Sequence, residues 1–195
     1  MKLINLLFLS GAFVFVLNAV SAQTFEFGSI SGGGQATTDL DGLSSGSTTV
    51  DGLTLTLTAS SGTFNSTSGS GFGINAAPSG DETTQFDDGS TDGAESMTLE
   101  FDKDVTFESI SLSLFGTSDE AFLTIGGSTT TIDDGAFTFA PGTTLTAGST
   151  ATFGFQAGNG FELESLTVVP EPSAFALLAG FCGLAYVMIR RRNHG

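Results

Sequence analysis

Leucine and threonine alternate without a break from Leu53 to Thr58. Successive side chains of an extended chain point to opposite faces, so this pattern marks a strand buried on one side only. Met97, Leu99 and Phe101 repeat it, and Val105 and Phe107 begin another run. There the parity changes, and the apolar side passes to Ile110, Leu112 and Leu114. One extra residue near Glu108-Ser109, a β-bulge, would restore the facing. The same change separates Phe161 and Leu163 from Leu166 and Val168, near Glu164-Ser165. The segments Glu108-Ser109-Ile110-Ser111-Leu112 and Glu164-Ser165-Leu166-Thr167-Val168 also match in kind, either as equivalent strands or by chance.

Leu123-Ile125, Phe137-Phe139 and Phe153-Phe155 supply shorter strands. Asp-Gly pairs at 41–42, 51–52, 88–89, 92–93 and 134–135 mark turns. No stretch between residues 23 and 169 has helical periodicity. Together these predict an all-β domain, an antiparallel β-sandwich or jelly roll. Its core is expected to draw on Phe101, Phe107, Phe122, Phe137, Phe139, Phe153, Phe155 and Phe161. That apolar content argues against a disordered chain, and residues 31–49 and 76–95 read as long loops.

The residues missing from this domain narrow its chemistry. Between 23 and 169 there is no His, Cys, Tyr, Trp or Arg. A serine or cysteine nucleophile with a histidine base is therefore excluded, and a zinc or non-haem iron site lacks its usual ligands. Carboxylates remain, and paired carboxylates can hydrolyse glycosides, but with 20 acids a close pair is expected by chance. No enzyme is expected. Lys103 is the only base among those 20 acids, so the domain carries a net charge of −19. Such a charge excludes nucleic acid as a natural partner, because phosphate binding needs Lys and Arg.

The densest group of acids is Asp81, Glu82, Asp87, Asp88, Asp92 and Glu95. Calcium takes six to eight oxygens, and Asp81, Asp87, Asp88 and Asp92 are the candidate ligands. The spacing is not that of an EF-hand loop, and solvated turn residues explain the cluster as well. A sugar site would need an aromatic ring, and Phe72 and Phe86 are the ones in loop-like surroundings. Calcium and polysaccharide are thus the two candidate ligands of the domain.

The two ends carry export signals. Lys2, the mostly apolar Leu3 to Leu17 and the small residues up to Ala22 form a secretory signal peptide, cleaved after Ala22. The alternative is a retained anchor. At the other end, Pro170-Glu171-Pro172-Ser173 precedes 16 uncharged residues, Ala174 to Ile189, and then Arg190-Arg191-Arg192. As a helix that run spans roughly 24 Å at about 1.5 Å per residue, short of a bilayer core of about 30 Å. Flanking residues or local thinning would make up the difference. The arginines stay cytoplasmic by the positive-inside tendency. Cys182 within the run reads as a small hydrophobe, with a lipidated cysteine as the alternative.

Motif, apolar span and basic stop stand in the order of a PEP-CTERM sorting signal, and the tail resembles that family over 26 residues, 170–195. The resemblance implies a Gram-negative host and passage through the Sec export machinery. It also implies an intermediate tethered in the inner membrane by one C-terminal transmembrane helix. An exosortase would then process the tail near Pro170, Glu171 and Pro172, with Arg190, Arg191 and Arg192 as the cytoplasmic anchor. The expected organisation is a signal peptide over 1–22, an ectodomain over 23–169 and a sorting tail over 170–195. The expected product is a non-enzymatic cell-surface or extracellular-matrix protein. The alternative is a calcium-dependent carbohydrate-binding module of the extracellular polymer matrix.

Overall fold

A computed structural model describes residues 21–27, 40–66, 71–76, 84–88, 93–172 and 174–192. Of the segment 1–22 expected to be a signal peptide, residues 1–20 lie outside the described residues. Ser21–Glu171 form one compact unit, while Pro172 and the helix after it belong to another.

The strands are β1 (Gln23–Glu26), β2 (Ser45–Val50), β3 (Leu53–Ala59), β4 (Thr63–Asn65), β5 (Gly73–Asn75), β6 (Ser96–Phe101) and β7 (Val105–Ser113). They continue with β8 (Glu120–Ile125), β9 (Ser128–Ile132), β10 (Ala136–Thr138), β11 (Thr144–Leu145), β12 (Thr150–Ala157) and β13 (Glu162–Pro170). One sheet runs β1-β13-β7-β10, with β11 also on β7, and a second runs β2-β3-β6-β12-β8-β9. β4 and β5 form a separate hairpin. All pairings are antiparallel.

The predicted alternation holds on β3 and β6, and on β7 as far as Leu112. Leu53, Leu55 and Leu57 are buried on β3, and Met97, Leu99 and Phe101 on β6. On β7 the buried set is Val105, Phe107, Ile110 and Leu112, so the parity does change. Opposite Phe107 and Ser109 stand the adjacent residues Val168 and Thr167, which leaves Glu108 as the extra residue of a bulge. Glu164 is the extra residue on β13, between Leu163 and Ser165, which face Leu112 and Ser111. The partner strand on the other side of β7 is broken at the same level. Its halves, β10 and β11, are joined through Phe139 and Thr143, whose backbones bond Glu108 and Phe107 at 2.8 Å each.

Turn chemistry follows the sequence at Asp51-Gly52. These two residues join β2 to β3 with φ of 47° and 78°. Both values are left-handed, as a two-residue type I′ turn requires. Gly126 and Gly127, at 56° and 84°, perform the same task between β8 and β9.

The two larger sheets share one hydrophobic core, consistent with a β-sandwich. Phenylalanines join them: Phe25 of β1 meets Phe101 of β6 at a ring distance of 5.9 Å, and Phe101 meets Phe107 of β7 at 6.0 Å. Phe161 stacks on Phe86 and Phe155 at 5.7 and 6.2 Å. Offset and edge-on ring pairs of this kind contribute about 0.5–1.5 kcal/mol each beyond the area they bury.

Several expectations need correction. Leu114 lies past the end of β7, 60% exposed, with a φ of 58°. The left-handed backbone there turns the chain out of the strand, so the apolar alternation ends at Leu112. Phe122 does not enter the core. Its neighbours Ala121 and Leu123 do, and strand parity turns Phe122 to the other face. Phe137 is only partly buried, against the core from the short edge strand β10. Residues 45–49, expected within the loop 31–49, belong to β2.

Candidate functional site

The Pro-Glu-Pro motif, Pro170 to Pro172, begins inside the fold. Pro170 is the last residue of β13 and is buried opposite Val105, whereas Glu171 and Pro172 are exposed. Proline has no N–H to donate, and a strand end tolerates that loss. The Glu171 amide donates to the Asp104 carbonyl at 2.8 Å, and the Thr106 hydroxyl donates to Glu171 Oε1 at 3.1 Å. The first two residues of the motif are thus held against β7.

The helix α1 follows, Ala174–Arg192, with Arg190, Arg191 and Arg192 in its last turn. Positive charge there complements the negative end of the helix dipole. Leu184, Tyr186, Val187, Met188 and Ile189 are exposed, and Cys182 is an exposed free thiol. At about 3.6 residues per turn those five apolar positions point all round the helix rather than along one stripe. Among the described residues no helix is long and apolar enough to cross a membrane.

Of the proposed calcium ligands, Asp81 and Asp92 lie outside the described residues, as does Glu82. Asp87 is buried and Asp88 exposed. The Asp87 amide donates to Glu95 Oε2 at 3.1 Å, and the Glu95 amide donates to the Asp87 carbonyl at 3.0 Å. This pair closes the loop between them. Among the described residues no three His, Cys, Asp or Glu side chains come together to hold a metal ion. Phe72 and Phe86, considered for stacking on a sugar, are 2% and 0% exposed. Phe72 bridges Leu163 and Phe86 bridges Phe161, which makes both part of the core.

The sequence did not single out Asp119 and Glu162, two buried acids beside the segment that joins β12 to β13. Asp119 accepts the Gly116 amide at 2.6 Å through Oδ2 and the Asn159 amide at 2.7 Å through Oδ1. Both oxygens are engaged in fixing backbone. Glu162 accepts from the Ser113 hydroxyl at 3.3 Å. Burial pushes its carboxyl above the ordinary value, opposed by hydrogen bonds to Thr84 and Ser113. A Cβ on Gly158 would collide with the Asp119 side chain, a closeness visible only in the structure.

A shallow cavity of about 240 Å³ opens where β8 and β9 approach residues 142–144. Its walls are Leu123, Ile125, Ser128, Thr130, Gly142, Thr143 and Thr144, with no charged side chain among them.

The outer face of the six-stranded sheet is the most ordered polar feature. Register places Ser45, Thr58, Thr98, Thr152, Thr124 and Thr129 in one row across all six strands. Beside it run Ser47, Thr56, Glu100 and Thr150, and on the other flank Ser96, Gly154, Phe122 and Thr131. Hydroxyl pairs bond across the strands: Ser45 with Thr58, Ser47 with Thr56 and Thr124 with Thr129, each at 2.8 Å. Alternation identified the polar side on β3 and β6, but not Ser45 and Ser47, which were expected in a loop, nor Phe122, which was expected in the core. Their alignment depends on register, which no single strand records. No family model matches the chain, and no curated protein or solved structure matches it.

Proposed function

We propose that this chain is an exported, non-enzymatic protein of the cell surface or extracellular matrix, delivered by its PEP-CTERM-like tail. Residues 1–22 act as the signal peptide for the Sec machinery. The sandwich domain crosses first, and α1 then holds it at the inner membrane with Arg190, Arg191 and Arg192 on the cytoplasmic side. An exosortase cuts near Pro170, Glu171 and Pro172 and releases the domain to the exterior.

One observation carries this reading: directly after the last strand stands a helix that is apolar all round and ends in three arginines. A soluble helix needs a polar face, whereas a membrane segment does not. Its uncharged run of 16 residues is short, and local thinning of the bilayer accommodates it. The chemistry of the domain agrees. Its buried acids bind backbone amides and hydroxyls, and it has no histidine, cysteine or arginine to build a catalytic centre.

The test is expression in an exosortase-bearing Gram-negative host, with fractionation of the wild type and of a variant carrying Pro170→Ala and Pro172→Ala. The wild type is expected outside the inner membrane in a shortened form, and the variant in the inner membrane at full length. Equal processing of both would remove the motif from the account.

A further inference from the structure

We propose that the outer face of the six-stranded sheet binds an uncharged, extended polysaccharide laid across the strands, over Phe122 and the hydroxyl row from Ser45 to Thr129. This site lies on the domain itself, and the inference stands whether or not the tail is processed.

Phe122 is the first observation. It lies on the outer face of β8, half-buried, and is not among the residues packed against the core. Its strand neighbours are Gly154, which has no side chain, and Thr131. On this largely polar face the ring has no aromatic partner among the described residues. Sugar rings offer it a matching partner, because one face of a pyranose presents C–H groups. The domain has no Trp or Tyr, so phenylalanine is the only ring it can offer.

The row of hydroxyls is the second, and it is independent of the ring. Neighbouring strands stand about 4.8 Å apart, so Ser45, Thr58, Thr98, Thr152, Thr124 and Thr129 repeat at that interval. This repeat is close to the length of one sugar unit in an extended chain. Each hydroxyl has one donor and two acceptor sites. A hydroxyl bonded to its neighbour on the next strand therefore keeps capacity for a sugar hydroxyl. The sheet's twist also suits a polymer, which can turn with it, better than a rigid flat lattice.

Charge selects the class of polymer. The domain as a whole is at −19, so it repels acidic polysaccharides. The six-position row has no charge; Glu100 stands in the row beside it, and Glu120, two residues before Phe122 on β8, is bonded by Gln156. A neutral polymer meets no opposing field there. A sheet face offers repeated shallow contacts, so affinity rests on repetition along the polymer rather than on one sugar.

The experiment uses the full chain in a sugar-free detergent and measures its retardation in native gels cast with neutral β-glucan, with dextran or with alginate. Retardation is expected in β-glucan, unchanged by a calcium chelator, and absent in alginate. The double variant Thr98→Val, Thr152→Val keeps the β-branched shape and removes two central hydroxyls. The variant Phe122→Thr removes the ring. Each is expected to weaken retardation by about tenfold while leaving the melting midpoint near that of the wild type. Retardation equal in the variants and the wild type overturns the proposal, as does the absence of retardation by every neutral polymer. Self-association that the double variant abolishes would assign the face to a second copy of the chain and overturn it too.

Discussion

Ile110 of β7 stands opposite Leu166 of β13 at the centre of a local two-fold relationship. Ser109 faces Thr167 and Ser111 faces Ser165; farther out, Phe107 faces Val168 and Leu112 faces Leu163. Shifting residue numbers by 56 turns each of these pairs into its opposite member. The bulges at Glu108 and Glu164 flank this centre symmetrically. The five-residue likeness of the two segments therefore has a structural counterpart, since they pair with one another in a single sheet. Each bulge restores the inward facing that the parity change would otherwise lose.

Deleting Glu108 removes the extra residue and turns Val105 and Phe107 toward solvent. Each exposed core side chain of this size costs about 1.5–3 kcal/mol, so the deletion is expected to abolish cooperative unfolding. Glu108→Ala keeps the count, alters an exposed side chain and should cost less than about 1 kcal/mol. Thermal melts of the two variants separate register from side chain. Similar melting of both would mean that the bulge does not set the facing.

Phe161 meets the rings of Phe86, Phe115, Phe153 and Phe155 at 5.4 to 6.2 Å. Phe161→Ala is expected to cost about 3–5 kcal/mol, the range for a large ring lost from a packed interior. Phe122→Ala, on the outer face, should cost much less. Denaturant midpoints of the two variants measure the contrast, and equal losses would contradict the assignment of Phe122 to the outside.

The carboxyl of Glu162 is raised above its ordinary value chiefly by burial. A folded state that holds its proton more tightly than the unfolded chain is stabilised at low pH. That contribution is complete below the unfolded value, near 4.5, and is lost as pH rises through the folded value. Glu162→Gln, which resembles the protonated acid, should therefore gain on the wild type as pH rises from 4 to 7. Melting midpoints across that range test it, and a gap that shrinks toward neutrality would reverse the sign.

Asp119 joins the loop after β7 to the β12–β13 connection through two short bonds to backbone amides. Removing hydrogen bonds to a charged group costs about 1.5–3 kcal/mol each at most, less where water replaces them. Asp119→Ala should lose on the order of 2 kcal/mol. Gly158→Ala should lose at least as much, because its φ is +111° and its Cβ would overlap the Asp119 side chain. Hydrogen exchange at the Asn159 amide should accelerate in both variants. Unchanged exchange would show that Asp119 does not hold this connection.

The strands that the sequence revealed are those whose inward residues are large. β3, β6 and β7 alternate Leu, Met, Ile or Phe with polar residues, so period two is visible and even the bulges can be placed. β2 was hidden because its inward positions are Gly46, Thr48 and Val50, which give no apolar contrast with Ser45, Ser47 and Thr49. β4, β5 and β10 have three residues each, too few to display a period. Phe122 was assigned to the core by its size, against the parity of Ala121 and Leu123. The rings of Phe72 and Phe86, expected in loops, are drawn inside by isolated bridges to Leu163 and Phe161. Such single long-range pairings leave no local trace. The hydroxyl rows were legible only in part, as the polar half of β3 and β6.

The most direct test of the sorting account is the mass of the mature C-terminus on surface-located protein from an exosortase-bearing host. A terminus near Pro170–Pro172, with Arg190–Arg192 absent, is the predicted result. An intact end bearing all three arginines on protein at the cell exterior would contradict it.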